Sequence, residues 1–178
     1  AAKAVTEFCK EGRFDRGIFS IYLFNLVKLV EGQGIFQTHG LPHAYLEGQN
    51  VEIMANSDNV LRAGLTEKHI DVEELLLHTK FEAVNPEIMQ AEDTARKIFA
   101  PAVDEFELHH YLLNQNPSQV NASAGEIWWL EKGNLEIRSE AHTIQLKKGE
   151  ALYISTPSEV HLATGAPASL FRACIPPV

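Results

Sequence analysis

The second half of this chain carries short runs of strand-forming residues at regular intervals, and this pattern restricts the fold more than any other feature of the sequence. Turn signals separate the runs. The runs are Phe106 to Leu113, Glu126 to Leu130, Leu135 to Arg138, Thr143 to Leu146, Ala151 to Ser155 and Ser169 to Ile175. Regularly spaced short strands of this kind predict a β-sandwich or barrel.

The first half mixes predicted helices with shorter strand-like runs. Residues 1 to about 11 predict a helix that stops near Gly12, and residues 71 to 80 predict a short helix capped by Asp71. The strand-like runs are Asn25 to Val30, Gly34 to Thr38, His43 to Leu46, Val51 to Ala55 and Val60 to Leu65. We therefore predict a mainly β protein with short helices at the N-terminus and around 71–80.

Composition limits the classes of partner and compartment. The chain has 178 residues, of which 45% are hydrophobic, so it is long enough to bury a substantial core. A formal charge of -9 argues against nucleic acid or an anionic membrane as a partner. Cys9 and Cys174 lack the spacing of a disulfide framework or a cysteine zinc site, which favours a reducing cytoplasm. No apolar run reaches the roughly 20 residues that a membrane helix needs.

An internal repeat links the two halves of the chain. Asn25 to His43 and Thr143 to His161 each contain an alternating strand, a charged residue with glycine, an apolar strand, a turn and a histidine. We interpret them as two copies of one β unit. The second copy has an extra residue before His161 and no accompanying ligand set, so we interpret that histidine as structural.

The segment that follows the first copy places a histidine, an acid and an arginine at intervals along predicted strands, which suggests a metal and phosphosugar site. His43 opens one run, and Tyr45 lies on the same face of it. Spacing alone leaves His43 equally a metal ligand or a buried histidine bonded to a backbone carbonyl. Tyr45 either lines a pocket or packs in the core.

Glu52 and Arg62 are the charged candidates of the same segment. Glu52 alternates with apolar neighbours, so it is either a solvent-facing strand residue or, in a barrel, an inward acid that carries protons or supports another group. Spacing alone favours Arg62 as an ion-pair partner of Asp58 or Glu52. Its alternative is a substrate-facing role, since a guanidinium suits an oxyanion or a phosphate.

Other histidines and the two tryptophans have simpler interpretations. His39 lies four residues before His43, which is zinc spacing only on a helix, so we do not predict it as a ligand. His109 and His110 are adjacent and point to opposite faces of a strand, and we interpret both as structural. Trp128 and Trp129 also straddle a strand, which places one in the core.

The first copy of the repeat resembles a motif of the cupin superfamily. Gly32, Thr38, Gly40 and His43 match the spacing of the second cupin motif, with Thr38 in place of the usual proline. A turn at Gly40 would let the strand re-enter a barrel with His43 pointing inward. In cupins that histidine is commonly a metal ligand.

The sequence HAYLEGQNVEIMANSDNVLRAGLT resembles the signature region of type I mannose-6-phosphate isomerase. The resemblance runs from NLVKL at Asn25 through HIDVEELL and KFEAVNP, and more weakly to the C-terminus, so it covers about nine tenths of the chain. It implies a zinc-dependent interconversion of mannose 6-phosphate and fructose 6-phosphate, an activity of carbohydrate metabolism.

The same resemblance implies roles for individual residues. His43 would be the zinc ligand contributed by this region, and Arg62 would be the active-site arginine. Glu52 and Tyr45 match positions that line the pocket of the family, with Glu52 as a second catalytic candidate. The turn from Asn56 to Asn59 would hold the arginine segment in place.

One departure from the family changes the expectation for this chain. The Gln-x-His motif and the glutamate that supply the family's other zinc ligands lie in its N-terminal half, to which the resemblance does not extend. We therefore expect a C-terminal part: the end of a helical segment at 1–17, a partial catalytic cupin unit at 18–90 and a terminal cupin-like β unit at 91–178. Zinc would bind this chain alone weakly or not at all.

Partners and rival functions follow from this incompleteness. The expected ligand is a sugar phosphate, and the expected protein partner is either a second copy of the chain or a missing N-terminal half. The main alternative is a non-catalytic cupin module that binds a sugar phosphate or a protein. A metal-dependent cupin oxygenase is a third hypothesis, which would need two or three converging histidines.

Overall fold

The computed structural model describes residues 1–10, 12–57, 59–90, 95–123 and 125–176. The chain forms two compact units. Unit 1 comprises Ala1–Val30, Ile35–Val51 and Asn56–Ile88, and unit 2 comprises Glu31–Gly34, Glu52–Ala55 and Met89–Val178. The three-part division into 1–17, 18–90 and 91–178 stays a prediction. Within the described ranges, no helix has the length and apolar composition to cross a membrane.

Unit 1 contains the helices of the described residues. They are α1 (Ala2–Phe8), a 3-10 helix (Arg16–Phe19), α2 (Ser20–Leu23) and α3 (Val72–His78). The cap predicted for α3 is confirmed, because the Asp71 carboxylate accepts a hydrogen bond of 3.1 Å from the Glu74 amide. The predicted N-terminal helix is also confirmed, although it ends at Phe8. The 3-10 helix and α2 were not predicted.

Most of the strand predictions for the first half of the chain are wrong. Of the predicted runs there, only the one at Gly34 gives a described strand, β1 (Gln33–Ile35), which pairs with β2 (Ile88–Gln90) in a two-stranded sheet. The segments His43 to Leu46, Val51 to Ala55 and Asn25 to Val30 have no regular structure, and neither does Val60 to Leu65. A strand exists only as part of a hydrogen-bonded ladder, and an alternating pattern without a neighbouring strand cannot form one.

Unit 2 contains two antiparallel sheets. Its strands are β3 (Arg96–Phe99), β4 (Glu107–Leu113), β5 (Ser118–Ala122), β6 (Glu126–Lys132), β7 (Asn134–Arg138), β8 (Thr143–Lys147), β9 (Ala151–Ile154), β10 (Ser158–Ala163) and β11 (Ala168–Cys174). One sheet has the order β3-β4-β11-β6-β9 and the other the order β5-β10-β7-β8. The predicted mainly β, cupin-like fold is confirmed. Strands β3, β5 and β10 were not predicted.

The buried apolar core of the described residues lies in unit 2. Its largest fully buried apolar side chains are Trp128, Leu130, Leu135, Leu162 and Leu170. They project inward because alternate residues of a strand share a face, and Trp128 is the core tryptophan of the predicted pair. The helices of unit 1 carry no buried residue, and several large apolar side chains of this unit are exposed.

A buried ion pair lies inside unit 2. Both carboxylate oxygens of Glu126 accept hydrogen bonds from Arg172, at 2.7 and 2.6 Å. Glu126 also accepts from the Trp128 indole at 2.7 Å, and Arg172 donates to the Tyr111 hydroxyl at 3.2 Å. Burial alone would lower the pKa of Arg172, but the bonds to Glu126 and Tyr111 raise it above its ordinary value.

Candidate functional site

A fixed turn at Gly40 leads into the candidate segment of unit 1. Gly40 has φ 78°, and an added Cβ would lie 2.7 Å from the His78 carbonyl oxygen, so only glycine fits. The Gly40 carbonyl accepts a hydrogen bond of 2.8 Å from the Lys80 amide. The turn is therefore anchored next to the end of α3. This anchor fixes where the chain begins its path toward His43.

His43 is an exposed histidine whose ring is oriented by its own backbone. Its Nδ1 lies 2.9 Å from the Leu41 carbonyl oxygen. A carbonyl only accepts, so Nδ1 carries the proton and donates it, and the lone pair of the neutral ring lies on Nε2. This tautomer can bind a metal ion through Nε2. The Tyr45 ring lies edge-on to His43, with 6.1 Å between ring centroids.

Arg62 is exposed, and the residues that follow it are held by Asp15. One Asp15 carboxylate oxygen accepts from the Leu65 amide at 3.0 Å, and the other accepts from the Gly17 amide at 2.7 Å. Leu65 has φ 50°, which is strained for a leucine and persists where surrounding contacts impose it. Asp15 therefore positions the arginine segment. Sequence reasoning missed it because the contact spans 50 residues.

The four predicted site residues fall in both units. His43 and Tyr45 lie together in unit 1, Arg62 also belongs to unit 1, and Glu52 belongs to unit 2. All four are exposed. Asp58, one of the two predicted ion-pair partners of Arg62 and a member of the turn from 56 to 59, lies outside the described residues. The roles of these residues stay predictions.

A second group of reactive side chains, none of them predicted as a site residue, lies in unit 2. Glu107, His109 and Cys174 bring a carboxylate oxygen, an imidazole nitrogen and a sulfur within 4.8 Å of one another. Burial lowers the pKa of His109 and raises the pKa of the Cys174 thiol, so the ring and the thiol are neutral near pH 7. The spacing of Glu107 and His109 gave a partial signal, since alternate strand residues share a face. Cys174 joins them only through strand pairing.

The neighbouring His110 is structural, as predicted from the sequence. Its Nε2 lies 2.7 Å from the Ser169 hydroxyl, which in turn donates to the Glu131 carboxylate at 2.6 Å. The ring stacks on Phe171, with 4.2 Å between centroids. Because the Ser169 proton goes to Glu131, the hydroxyl accepts from His110 instead of being activated by it. Burial is the main cause that lowers the pKa of His110.

The chain is similar in sequence to curated mannose-6-phosphate isomerases. It is 38% identical to the protein of Escherichia coli (strain K12) over 156 residues, which cover 86% of this chain and 39% of that protein. It is 35% identical to the Bos taurus protein over 173 residues, which cover 90% of this chain and 41% of that protein. The chain thus spans about two fifths of the length of these relatives. No model of a known protein family matches it.

Solved structures give the same likeness. One is mannose 6-phosphate isomerase from Salmonella typhimurium bound to its substrate, fructose 6-phosphate, and zinc. It matches with a TM-score of 0.56 and 31% identity over 68% of this chain and 32% of that chain. The apo form of the same protein matches with a TM-score of 0.57 and 31% identity, over the same shares of the two chains.

Proposed function

We propose that this chain, which is homologous to part of the mannose-6-phosphate isomerases, is the C-terminal part of a zinc-dependent enzyme that interconverts mannose 6-phosphate and fructose 6-phosphate. The identity to the Escherichia coli isomerase over most of this chain carries the proposal. The likeness to a structure that holds zinc and fructose 6-phosphate supports it. The chain contributes one wall of the active site.

His43 has the chemistry of a zinc ligand. Its Nδ1 proton is donated to the Leu41 carbonyl, and a backbone acceptor of this kind commonly orients metal-binding histidines. Among the described residues, no group of three His, Cys, Asp or Glu side chains gathers around His43. One imidazole alone does not hold zinc, which takes four ligands. His43 therefore supplies one ligand and another part of the protein supplies the others.

The remaining site residues fit the needs of an aldose-ketose isomerisation. This reaction moves a proton between C1 and C2 through an enediol, so it needs a base, stabilisation of the charged oxygen and a phosphate anchor. Zinc, when bound, supplies an electrophile for that oxygen. Arg62 holds the oxyanion or the phosphate, and Tyr45 lines the pocket beside His43. Glu52 carries a proton or supports a neighbouring group.

The rest of the isomerase is the proposed protein partner. Unit 1 exposes large apolar side chains that a stable monomer would cover, among them Phe14, Leu23, Leu26, Leu77 and Phe81. A second copy of the chain is the alternative partner. The cytoplasmic location stays a prediction.

The rival function is a non-catalytic module that binds a sugar phosphate. The exposure of His43, Tyr45 and Arg62 favours it, because exposed groups can bind a phosphate without the enclosed site that catalysis needs. Titration calorimetry of the zinc-free chain with fructose 6-phosphate separates the two functions. Saturable binding together with no turnover in any mixture would favour the module.

A coupled isomerase assay tests the proposal directly. We expect negligible turnover by the chain alone, and turnover with zinc when it is mixed with the separately produced remainder of the Escherichia coli isomerase. His43→Ala should lower that turnover by on the order of 100-fold. The matched control His39→Ala, at an exposed histidine four residues away, should not. Robust turnover by the chain alone, or none in the mixture, would contradict the proposal.

A further inference from the structure

We propose that Glu107, His109 and Cys174 form a second metal site, inside the sandwich of unit 2, for a divalent cation that accepts thiolate and imidazole ligands, such as zinc. This site is separate from the one proposed at His43 and does not depend on isomerase activity. It would tie the last strand, β11, to β4.

Strand pairing creates the site. β4 and β11 are antiparallel neighbours, and Cys174 pairs with Glu107 while Arg172 pairs with His109. Glu107 and His109 lie on one face of β4 because they are two residues apart. Three donor types therefore converge from two adjacent strands of the five-stranded sheet.

The two donor separations that involve His109 are close to those around a tetrahedral metal ion. His109 Nε2 lies 2.8 Å from Glu107 Oε2 and 3.9 Å from Cys174 Sγ. Ligand bonds of about 2.0 to 2.3 Å place neighbouring donors of a tetrahedral zinc ion about 3.3 to 3.7 Å apart. To reach that range, the Glu107–His109 separation would open by about 0.5 Å and the His109–Cys174 separation would close by about 0.2 Å. His109 and Cys174 are buried, and Glu107 is 14% exposed, which provides access for the ion and for a water as the fourth ligand.

Binding exchanges protons in a defined way. Without metal, Arg96 lies 3.3 Å from His109 Nδ1 and can only donate, so Nε2 carries the ring proton and donates it to Glu107. When the ion binds, Nε2 loses that proton and Nδ1 gains one, while the Cys174 thiol becomes a thiolate. One proton is released for each ion bound, and no electron is transferred.

The charges around the site divide into two groups. Arg172 is already neutralised by Glu126, with both groups buried. Arg96 opposes the ion, because its hydrogen bond to Nδ1 must break when Nδ1 takes up the proton. The thiolate and the Glu107 carboxylate together balance the two charges of the ion. Removal of the Arg96 charge should therefore tighten metal binding.

Cobalt(II) titration of the chain tests the site, since a thiolate bound to cobalt gives a charge-transfer absorption in the near ultraviolet. We expect the band to saturate at one ion per chain, to disappear in Cys174→Ser and to persist in the matched control Cys9→Ser. His43→Ala should leave it unchanged, which separates this result from the proposed isomerase site. Circular dichroism would show that each variant is folded.

A charge variant provides a second readout that a purely structural cluster would not give. Arg96→Gln should tighten cobalt binding several-fold, while Lys97→Gln, the same charge change on the opposite face of β3, should leave it unchanged. The inference would be overturned by a folded chain that shows no band at millimolar cobalt, or by a band that survives Cys174→Ser.

Discussion

At the scale of single residues, hydrogen bonds decide what each polar group of this chain can do. The Leu41 carbonyl sets the tautomer of His43, and Arg96 sets the opposite tautomer at His109. Glu126 is fully buried, yet its carboxylate accepts from Arg172, Trp128 and the Ser123 amide. The buried carboxylate is therefore fully hydrogen-bonded. If Arg172 or Glu126 is removed, the remaining charge is buried without its partner, and its desolvation is no longer offset.

The Glu126 and Arg172 pair should show strong energetic coupling. Arg172→Met leaves the Glu126 carboxylate buried without its cation and should lower the free energy of unfolding by about 3 to 5 kcal/mol. Glu126→Gln should also destabilise the chain. The double variant should lose less than the sum of the two by about 1 to 3 kcal/mol, because it buries no unpaired charge. Urea unfolding measures all three, and additive losses would contradict the coupling.

Sequence reasoning had uneven success at this scale. It found Asp71 as a helix cap and predicted that one tryptophan of the pair lies in the core, because both signals are local; the structure shows that it is Trp128. It missed Asp15, which holds Leu65 from 50 residues away, and it missed the approach of Cys174 to His109. These contacts depend on which distant segments meet, and no local pattern encodes that.

At the scale of elements, the strands of unit 2 show what hydrophobic alternation can predict. β4, β6 and β11 were visible in the sequence because each carries several apolar or aromatic residues. β5 (Ser118–Ala122) and β10 (Ser158–Ala163) are more polar, and they became strands by pairing with each other. Conversely, Val51 to Ala55 alternates well and forms no strand. Pairing, rather than propensity, decided these cases.

The turns that connect the strands allow a matched test of steric fit. Gly133 and Gly149 have nearly equal φ values, 89° and 87°, but an added Cβ at Gly133 would lie 2.8 Å from the Ala168 Cβ, while Gly149 has nothing within 4 Å. Gly149→Ala should cost about 1 to 2 kcal/mol of unfolding free energy from backbone strain alone. Gly133→Ala should cost about 1 to 3 kcal/mol more, from overpacking. Equal losses of unfolding free energy in the two variants, measured by urea unfolding, would show that the turn near Ala168 can shift to accept the methyl group without an energetic cost.

At the scale of the whole molecule, the two units differ in how they are stabilised. Unit 2 has a continuous apolar core and paired sheets, whereas the helices of unit 1 have no buried residue in the described part of the chain. Burial of apolar surface is the main favourable contribution to folding, at about 25 cal/mol per Å². Unit 1 should therefore be the less stable of the two, and its order should depend on a partner.

Hydrogen exchange should reveal this difference. In the chain alone, amides of residues 16–30, 40–51 and 59–80 should exchange much faster than those of β4, β6 and β11. Addition of the remainder of the Escherichia coli isomerase should slow exchange in the first group and leave β7 and β10 unchanged. Slow exchange throughout unit 1 without a partner would contradict the proposed incompleteness.

The sequence by itself determined the mainly β fold of residues 106–174, the capped helix α3 and the likeness to the isomerases. These depend on local alternation, capping residues and a run of motif residues, all of which are present in the printed chain. Only the tertiary structure decided that the predicted strands around His43 do not form and that Asp15 holds the segment after Arg62. It also brought Glu107, His109 and Cys174 together. A strand needs a neighbour and a ligand set needs converging side chains, so both are properties of the folded chain.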